Sequence, residues 1–337
     1  MKRVRIKHVL REDFDGIVYN FHCLPDENYF SEGVLVHNCY KSNSADKPNQ
    51  TMSAKVFKTI LDKFPPSLCQ IAFGITDLQN TPDLWEIMQY TRSKGIIPNI
   101  TINGQNLTST EVLRLVNLCG SVAVSRYSNT DICYEAVHQL TTAMKTEGTT
   151  LKQVNIHQIL HQDFLPSIYQ LFEDYRTDER LKDLNAVVFL LLKPKGERNN
   201  LQPLQEPDIF IQLLERAEEV GLTIGMDSCS APLVLKAAEK LDKPELIQSI
   251  LPCESGLESI YLDVNGLVFP CSFCPGDIDF EPIDMTKVSD FKKDVWYAPQ
   301  IIKWREKLIN SSSKCNCSLS KYCRSCPVFD ISACKEK

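Results

Sequence analysis

No apolar run in this 337-residue chain approaches the ~20 residues needed to cross a bilayer, so no membrane is expected as a partner. There is no signal-peptide pattern either, because Met1-Lys2-Arg3-Val4-Arg5-Ile6-Lys7-His8 is charged and alternating, and a cytoplasmic location is expected. No Gly-x-Gly-x-x-Gly follows an early strand-like run, which disfavours an open dinucleotide-binding sheet. Beyond its basic first residues the chain lacks a concentrated positive face. The net charge is −6 and the Lys and Arg are dispersed, so nucleic acid is not an expected partner. Lys303-Trp304-Arg305-Glu306-Lys307 reads as a solvated helix face, and His138 and His161 have no evident ligand partners.

Cysteine is what the chain has in quantity. In a reducing compartment 14 cysteines do not form a disulfide scaffold, and grouped ones point to metal. Cys69, Cys119 and Cys133 stand alone in apolar or helical contexts and read as inert core thiols. Apart from Cys23 and Cys39 near the start, the others cluster late: Cys229, Cys253, Cys271, Cys274, Cys315, Cys317, Cys323, Cys326 and Cys334. Cys253, Gly266 and Cys271 follow C-x12-G-x4-C within a hairpin pattern, Ser259 to Cys271, whose Asn265-Gly266 pair is a preferred turn. Cys271-x2-Cys274 and Cys323-x2-Cys326 also suit a four-cysteine zinc site, while soft thiolates in this number suit iron–sulfur clusters equally well.

Between residue 39 and about 231 the pattern is regular. Strand-like runs occur at Gln70–Phe73, Ile96–Ile102, Ser121–Ser125, Gln153–Leu160, Ala186–Leu192 and Leu222–Met226. Helical patterns lie between them at Ser53–Lys63, Asp83–Lys94, Ser109–Leu118, Tyr134–Glu147 and Asp208–Val220. Ser53, Asp83 and Asp208 are suitable N-caps, and Gly95, Gly148 and Gly221 suitable helix ends. This alternation predicts an α/β fold, a parallel sheet of βαβ units curled into a partial barrel, with its chemistry on the loops after the strands.

Gly33-Val34-Leu35-Val36-His37-Asn38-Cys39 has a different character. The Asn38 amide can attack its own carbonyl and cleave the chain, the Cys39 thiol can accept an acyl group, and His37 can move protons near neutral pH. With Val18-Tyr19-Asn20-Phe21 and Asn28-Tyr29-Phe30-Ser31-Glu32 upstream, residues 1–38 resemble the C-terminal half of a split intein. Glu27 stands where many inteins carry His, with His22 and Cys23 close by. The resemblance implies a small β-rich module and makes His37, Asn38 and Cys39 its catalytic residues. It also implies a partner fragment that carries the other intein half.

The chain beyond the junction resembles a radical S-adenosylmethionine (SAM) enzyme. Cys39-Tyr40-Lys41-Ser42-Asn43 looks like the last cysteine of that family's CxxxCxxC loop, whose thiolates hold a [4Fe–4S] cluster. The resemblance then implies that the first barrel strand and the other two cluster cysteines lie in the partner fragment. Gly74-Ile75-Thr76-Asp77 stands where many members carry Gly-Gly-Glu-Pro. Gly74, Asp77, Asn103, Ser125, Asn155 and Lys193 would bind the cofactor, at the ends of the family's second to sixth strands. Cys253 to Cys271 resembles the opening of the SPASM extension, which holds auxiliary clusters. The tail runs C-x-C-x5-C-x2-C-x7-C where the family's usual pattern is C-x2-C-x5-C-x3-C and a distant Cys.

Residues 1–38 would thus be the intein fragment, 39–232 an incomplete (β/α)6 partial TIM barrel, and 233–337 a SPASM-like extension. The metal ligands would come from Cys39, Cys229, Cys253, Cys271, Cys274, Cys315, Cys317, Cys323, Cys326 and Cys334. The resemblance implies trans-splicing at Asn38/Cys39 into an enzyme that makes a 5′-deoxyadenosyl radical to modify a peptide or protein, reduced by a flavodoxin or ferredoxin. A non-catalytic zinc or iron–sulfur protein with a degenerate barrel and an inactive intein remnant stays open as the alternative.

Overall fold

The computed structural model describes residues 28–31, 34–37 and 51–337, except 147, 196–200, 244–245, 248–249, 277–279, 314 and 332–337. Two short strands come first, β1 (Asn28–Ser31) and β2 (Val34–His37), paired antiparallel with Asn28 opposite His37. Asn38 and Cys39 lie outside the described residues.

The main sheet is parallel and ordered β3 (Gln70–Gly74), β4 (Ile97–Ile102), β5 (Ser121–Ser125), β6 (Gln153–Leu160), β7 (Ala186–Leu191) and β8 (Ile224–Met226). Helices α1 (Ala54–Leu61), α2 (Leu84–Ser93), α3 (Ser109–Leu118), α4 (Thr130–Met144), α5 (Leu165–Thr177) and α6 (Pro207–Val220) alternate with the strands. The predicted strands agree with these to within two residues, and α3 agrees at both ends.

Local chemistry explains most boundaries. The Ser53 hydroxyl accepts from Val56 N–H and caps α1, and Thr108 with Glu111 forms a reciprocal capping box on α3. Asp83 occupies the N-cap position of α2 but makes no side-chain cap there. Its carboxylate instead accepts from Ala54 N–H at 2.8 Å, so it caps α1. Asp208 is not a cap, because Pro207 takes the first turn of α6 and Glu206 precedes it. Gly221 ends α6 with φ 69°, in the left-handed region that glycine enters without strain.

A seventh helix, α7 (Ala231–Leu241), follows β8 and was not evident in the sequence pattern. It buries Leu233, Val234 and Ala237 in the same apolar core as β4–β7 and α3–α6. Alternation decides the rest of the sheet. Ile100, Ile102, Val122, Val124, Val154, Ile156, Val187 and Phe189 face the helices and are buried. Their neighbours in sequence, including Asn99, Thr101, Ser121, Ala123, Ser125, Asn155 and His157, form the opposite, concave face. That face is lined mainly by polar and small side chains.

At the N-terminal end of the strands the concave face is closed by hydrogen bonds. Asn99 Nδ2 donates to Gln70 Oε1 (3.0 Å), Ser121 N donates to Asn99 Oδ1 (2.9 Å), Asn155 Nδ2 to Ser121 Oγ (3.3 Å) and Asn185 Nδ2 to Asn155 Oδ1 (2.8 Å). β3 is an edge strand, and among the described residues nothing pairs with its outer side. Its burial alternates, with Gln70, Ala72 and Gly74 exposed.

The C-terminal part folds on a three-stranded antiparallel sheet ordered β11 (Ile283–Asp284), β10 (Leu267–Phe269) and β9 (Tyr261–Leu262). The hairpin predicted at Asn265-Gly266 forms, but its connection is longer than two residues. Asp263 Oδ1 accepts from Asn265 N–H and Leu267 N–H, and Gly266 adopts φ 79°. Met285, Phe291 and Val295 pack there with Ile60 of α1, and Lys63 Nζ donates to Met285 O at 2.6 Å. The final helix, α8 (Pro299–Ile309), buries Trp304 between Ile301 and Leu308. Lys303–Lys307 is therefore only partly the solvated face expected: Trp304 Nε1 donates to Ser255 O (3.0 Å), and Arg305 lies over the Trp296 ring at 4.2 Å. No helix among the described residues is long and apolar enough to cross a membrane.

Candidate functional site

Parallel βα units place loops at the C-terminal ends of the strands, and six of the implicated residues can be located against that mouth. Gly74 ends β3, and a Cβ built on it would meet nothing within 4 Å. Asn103, just past β4, donates to Thr76 O (3.2 Å) and accepts from Gln105 N–H (3.0 Å), tying the first two loops together. Asp77 is turned into its own loop, accepting from Gln79 N–H (2.7 Å) and Asn80 N–H (3.1 Å). Ser125 ends β5, opposite His157 in register. Asn155 is on the concave face but sits low, held by Ser121 and Asn185 in the hydrogen-bonded floor.

His157, one layer above Asn155, is the mouth-side residue of β6 that sequence reasoning missed. Its Nδ1 lies 3.4 Å from Thr101 Oγ1 on β4, a reach across the small Ala123 of β5. Burial pulls its imidazole below the ordinary value of 6.5, opposed by the Asp227 carboxylate. Period-2 alternation from Asn155 was the signal that could have found it.

Lys193 follows β7 and forms a buried ion pair with Asp227, which follows β8. The other Asp227 oxygen accepts from Ser230 Oγ (2.6 Å), Ser230 N–H (3.1 Å) and Leu191 N–H (3.3 Å). Burial opposes the charge on Lys193, but Asp227 and hydrogen bonding to Cys229 hold it above its ordinary value. Lys193 Nζ also lies 5.4 Å from the Phe273 ring, and Lys195 Nζ donates to Phe273 O (3.1 Å) and Pro275 O (2.6 Å). Two lysines after β7 thus fasten the Cys271–Cys274 segment onto the barrel mouth.

Five thiols converge at this seam. Cys229 stands in the turn between β8 and α7, within electrostatic reach of Cys253 and Cys326, and burial pushes its thiol up. Cys326 is within reach of Cys253 and Cys271, and its sulfur accepts from Phe329 N–H at 3.4 Å. Cys274 donates to Cys271, which with Phe273 N–H and the nearby Lys193 and Lys195 draws Cys271 down to about 7 and pushes Cys274 up. Cys253 Sγ lies 3.2 Å from Ser255 Oγ.

Cys315, Cys317 and Cys323 lie in a separate loop. Lys236 Nζ of α7 is 3.8 Å from Cys317 Sγ, and Ser312 Oγ donates to Cys323 O. Cys39 and Cys334 fall outside the described residues. Cys119 and Cys133 are buried as expected, with thiols pushed up to about 12 by burial. Cys69 is exposed, which corrects its reading as a core residue: it ends the loop before the edge strand β3.

Among the described residues no three His, Cys, Asp or Glu side chains already stand as a metal cage. The chemistry of the five-thiol set, soft sulfur donors with a backbone N–H on the sulfur of Cys271 and of Cys326, fits an iron–sulfur cluster or zinc.

No protein-family model matches the chain, and no curated protein matches it in sequence. Solved structures do match in fold. Streptococcus suis SuiB bound to its precursor peptide SuiA superposes with a TM-score of 0.66 at 16% identity, covering 88% of this chain and 72% of SuiB. SuiB bound to S-adenosylmethionine gives 0.65 at 15%, covering 86% and 69%. The protein anSMEcpe with bound AdoMet gives 0.57 at 14%, covering 87% and 82%. At these identities the likeness is one of fold alone, and in this chain that fold is six parallel strands in a partial barrel followed by a cysteine-rich C-terminal region.

Proposed function

We propose that this chain is the C-terminal part of a radical SAM enzyme of the SPASM type that modifies a peptide or protein. The reading rests chiefly on one observation: Lys193 and Lys195, after β7, hold the Cys271–Cys274 loop against the C-terminal mouth of a barrel whose fold is shared with proteins bound to S-adenosylmethionine and to peptides. Residues 1–38 act as an intein half, residues 39–232 supply the barrel and residues 233–337 the auxiliary-cluster extension. Two features support a partner fragment: the His37-Asn38-Cys39 junction behind a β-hairpin, and the edge of β3, with which nothing pairs among the described residues.

In this reading the partner fragment brings the first strand and two cysteines, and splicing leaves Cys39 beside them. Those three thiolates would hold a [4Fe–4S] cluster, which would supply one-electron reductive chemistry toward S-adenosylmethionine. Gly74, Asn103, Thr101, Ser125 and His157 line the cofactor's side of the concave face. Asp77 and Asn155 hold the β3 loop and the floor in place. Lys193 and Asp227 set the boundary between this chamber and the cysteine-rich extension. Cys253, Cys271, Cys274, Cys315, Cys317, Cys323, Cys326 and Cys334, with Cys229, provide the thiols for auxiliary clusters. A flavodoxin or ferredoxin is the electron source.

The test has two arms. Mixing the chain with a polypeptide that ends in an intein N-terminal half should give a ligated product, and Asn38→Ala should abolish it. After anaerobic reconstitution, the ligated protein should cleave S-adenosylmethionine and the unligated chain should not. Cleavage by the chain alone would refute the division of cluster ligands between two polypeptides.

A further inference from the structure

Charge is unevenly placed in the C-terminal part of the chain, and the even scatter of Lys and Arg expected from the sequence does not hold there. Residues 201–284 hold 16 Asp and Glu against 4 Lys and Arg, whereas residues 285–337 hold 11 Lys and Arg against 5 Asp and Glu. Two of those five acids are turned onto the backbone. Asp294 accepts from Ser289 N–H (2.9 Å), Ser289 Oγ (3.0 Å) and Asp290 N–H (2.9 Å), and Asp290 Oδ1 accepts from Lys293 N–H (3.1 Å). Lys292, Lys293 and Lys303 are exposed, and none forms an ion pair among the described residues. Lys292 Nζ lies 6.0 Å from the Tyr297 ring, and Tyr297 is within electrostatic reach of Arg305, which stands one turn from Ile302 on α8. Tyr297 and Ile302 are both exposed, so basic groups border an apolar patch, the anatomy of a docking surface. Behind it a short path runs inward. Trp304, buried in α8, donates Nε1 to Ser255 Oγ (3.1 Å), and Ser255 Oγ lies 3.2 Å from Cys253 Sγ. Arg305 lies over Trp296 and donates to Gly256 O. One helix separates solvent from Cys253.

We propose that the outer face of α8 and the turn before it, with Lys292, Lys293, Tyr297, Ile302 and Lys303, is the docking surface for a small acidic electron-carrier protein that delivers its electron on the Cys253 side of the extension. This rests on the iron–sulfur reading of the extension given above. The carrier is oxidised by one electron and the centre beside Cys253 is reduced by one, with no bond made or broken. The acidic stretch 201–284 repels such a partner, so the basic end orients the encounter. A nucleic acid would meet the same lysines, but the apolar Tyr297 and Ile302 and the path through Trp304 to a thiol suit a redox protein.

The probe is an oxidised FMN flavodoxin, titrated calorimetrically into the full, unspliced chain. Wild-type binding should weaken about tenfold between about 20 and 200 mM salt. Lys293→Glu/Lys303→Glu should weaken it about tenfold at the lower salt, and Lys293→Gln/Lys303→Gln by less. Lys152→Glu/Lys182→Glu, an equal change of net charge at exposed lysines of the barrel, should bind as the wild type does. No wild-type binding overturns the proposal, as does an equal loss in the barrel variant. Comparable binding of a single-stranded RNA oligonucleotide, lost in the same Lys293/Lys303 variant, overturns it too, because the face is then a general polyanion surface. In the ligated, reconstituted enzyme, Lys293→Glu/Lys303→Glu should slow S-adenosylmethionine cleavage driven by reduced flavodoxin and leave cleavage driven by dithionite unchanged. Equal rates with flavodoxin, or equal slowing with both reductants, overturn the docking role. A wild-type enzyme that cleaves nothing with dithionite refutes the enzyme reading instead, and that outcome needs neither the carrier nor a variant.

Discussion

Asp227→Asn is the most informative change at the barrel mouth, because the two halves of its ion pair are unequally supported. The Lys193 side chain is 7% exposed and that of Asp227 18%. In the variant the amide nitrogen can face Lys193, donor against donor, and the ammonium loses its carboxylate while keeping its contacts with Cys229 and the Phe273 ring. Leaving an uncompensated buried charge costs about 3–5 kcal/mol. Deprotonation of Lys193 relieves part of that, so about 3 kcal/mol is expected at pH 7. The converse change, Lys193→Met, leaves Asp227 with three donors, the Ser230 hydroxyl and the N–H groups of Ser230 and Leu191. Its cost should be about 1–2 kcal/mol.

Urea unfolding of the apo chain at pH 7 measures both, and the double variant should cost less than the sum of the singles. The pH dependence gives a second check. In Asp227→Asn the folded-state pKa of Lys193 falls below its unfolded value, so the unfolded chain binds the extra proton. The penalty should therefore shrink as pH rises from 7 towards 10. A Lys193→Met cost equal to or above that of Asp227→Asn would refute the argument.

The remaining predictions concern the frame around the site. Burial depresses His157, so the unfolded chain takes up its proton first; stability should be full above about pH 6.5 and fall as pH drops below it. His157→Gln should flatten that slope in urea titrations at pH 5, 6 and 7. Gly256 has φ 71°, and a Cβ there would stand 2.9 Å from Trp304 Cδ1. Gly256→Ala should cost about 1–3 kcal/mol, whereas Gly221→Ala, with an open surround, should cost about 1, both read from denaturation midpoints. Arg126 is buried and donates to Tyr134 Oη (3.1 Å), Gln158 Oε1 (3.0 Å) and Ser167 Oγ (2.8 Å). Arg126→Met strands those acceptors and should cost about 2–4 kcal/mol in the same assay.

Much of the barrel was legible because its strands are β-branched runs punctuated by helices with readable ends, as Ser121–Ser125 and Gln153–Leu160 illustrate. α7 was illegible for a physical reason. It buries Ala231, Pro232, Leu233, Val234, Leu235, Ala237 and Ala238, so its opening five residues are all apolar and its polar stripe, Lys236, Glu239 and Lys240, is confined to the second half. The start of α4 was placed four residues late because Thr130, Asp131 and Ile132 carry no distinctive periodicity before the buried Cys133 and Tyr134.

At the site, sequence pointed to Lys193 and Cys229 but passed over Asp227, the ion-pair partner of Lys193. Pairings across a parallel sheet depend on register, and a single strand does not carry that information. His157, opposite Ser125, was passed over as well, although period-2 alternation from Asn155 puts it on the same face.

The edge strand β3 has a consequence for how the chain behaves on its own. Gln70-Ile71-Ala72-Phe73-Gly74 contains no charge and no proline, the usual devices that stop one sheet edge from pairing with another. Among the described residues nothing pairs with this edge, and if it accepts a strand from a partner fragment it will also accept the same edge of a second copy. Self-association would then compete with assembly, more strongly as concentration rises, and a supply of the partner strand would act as a solubilising cap for this protein.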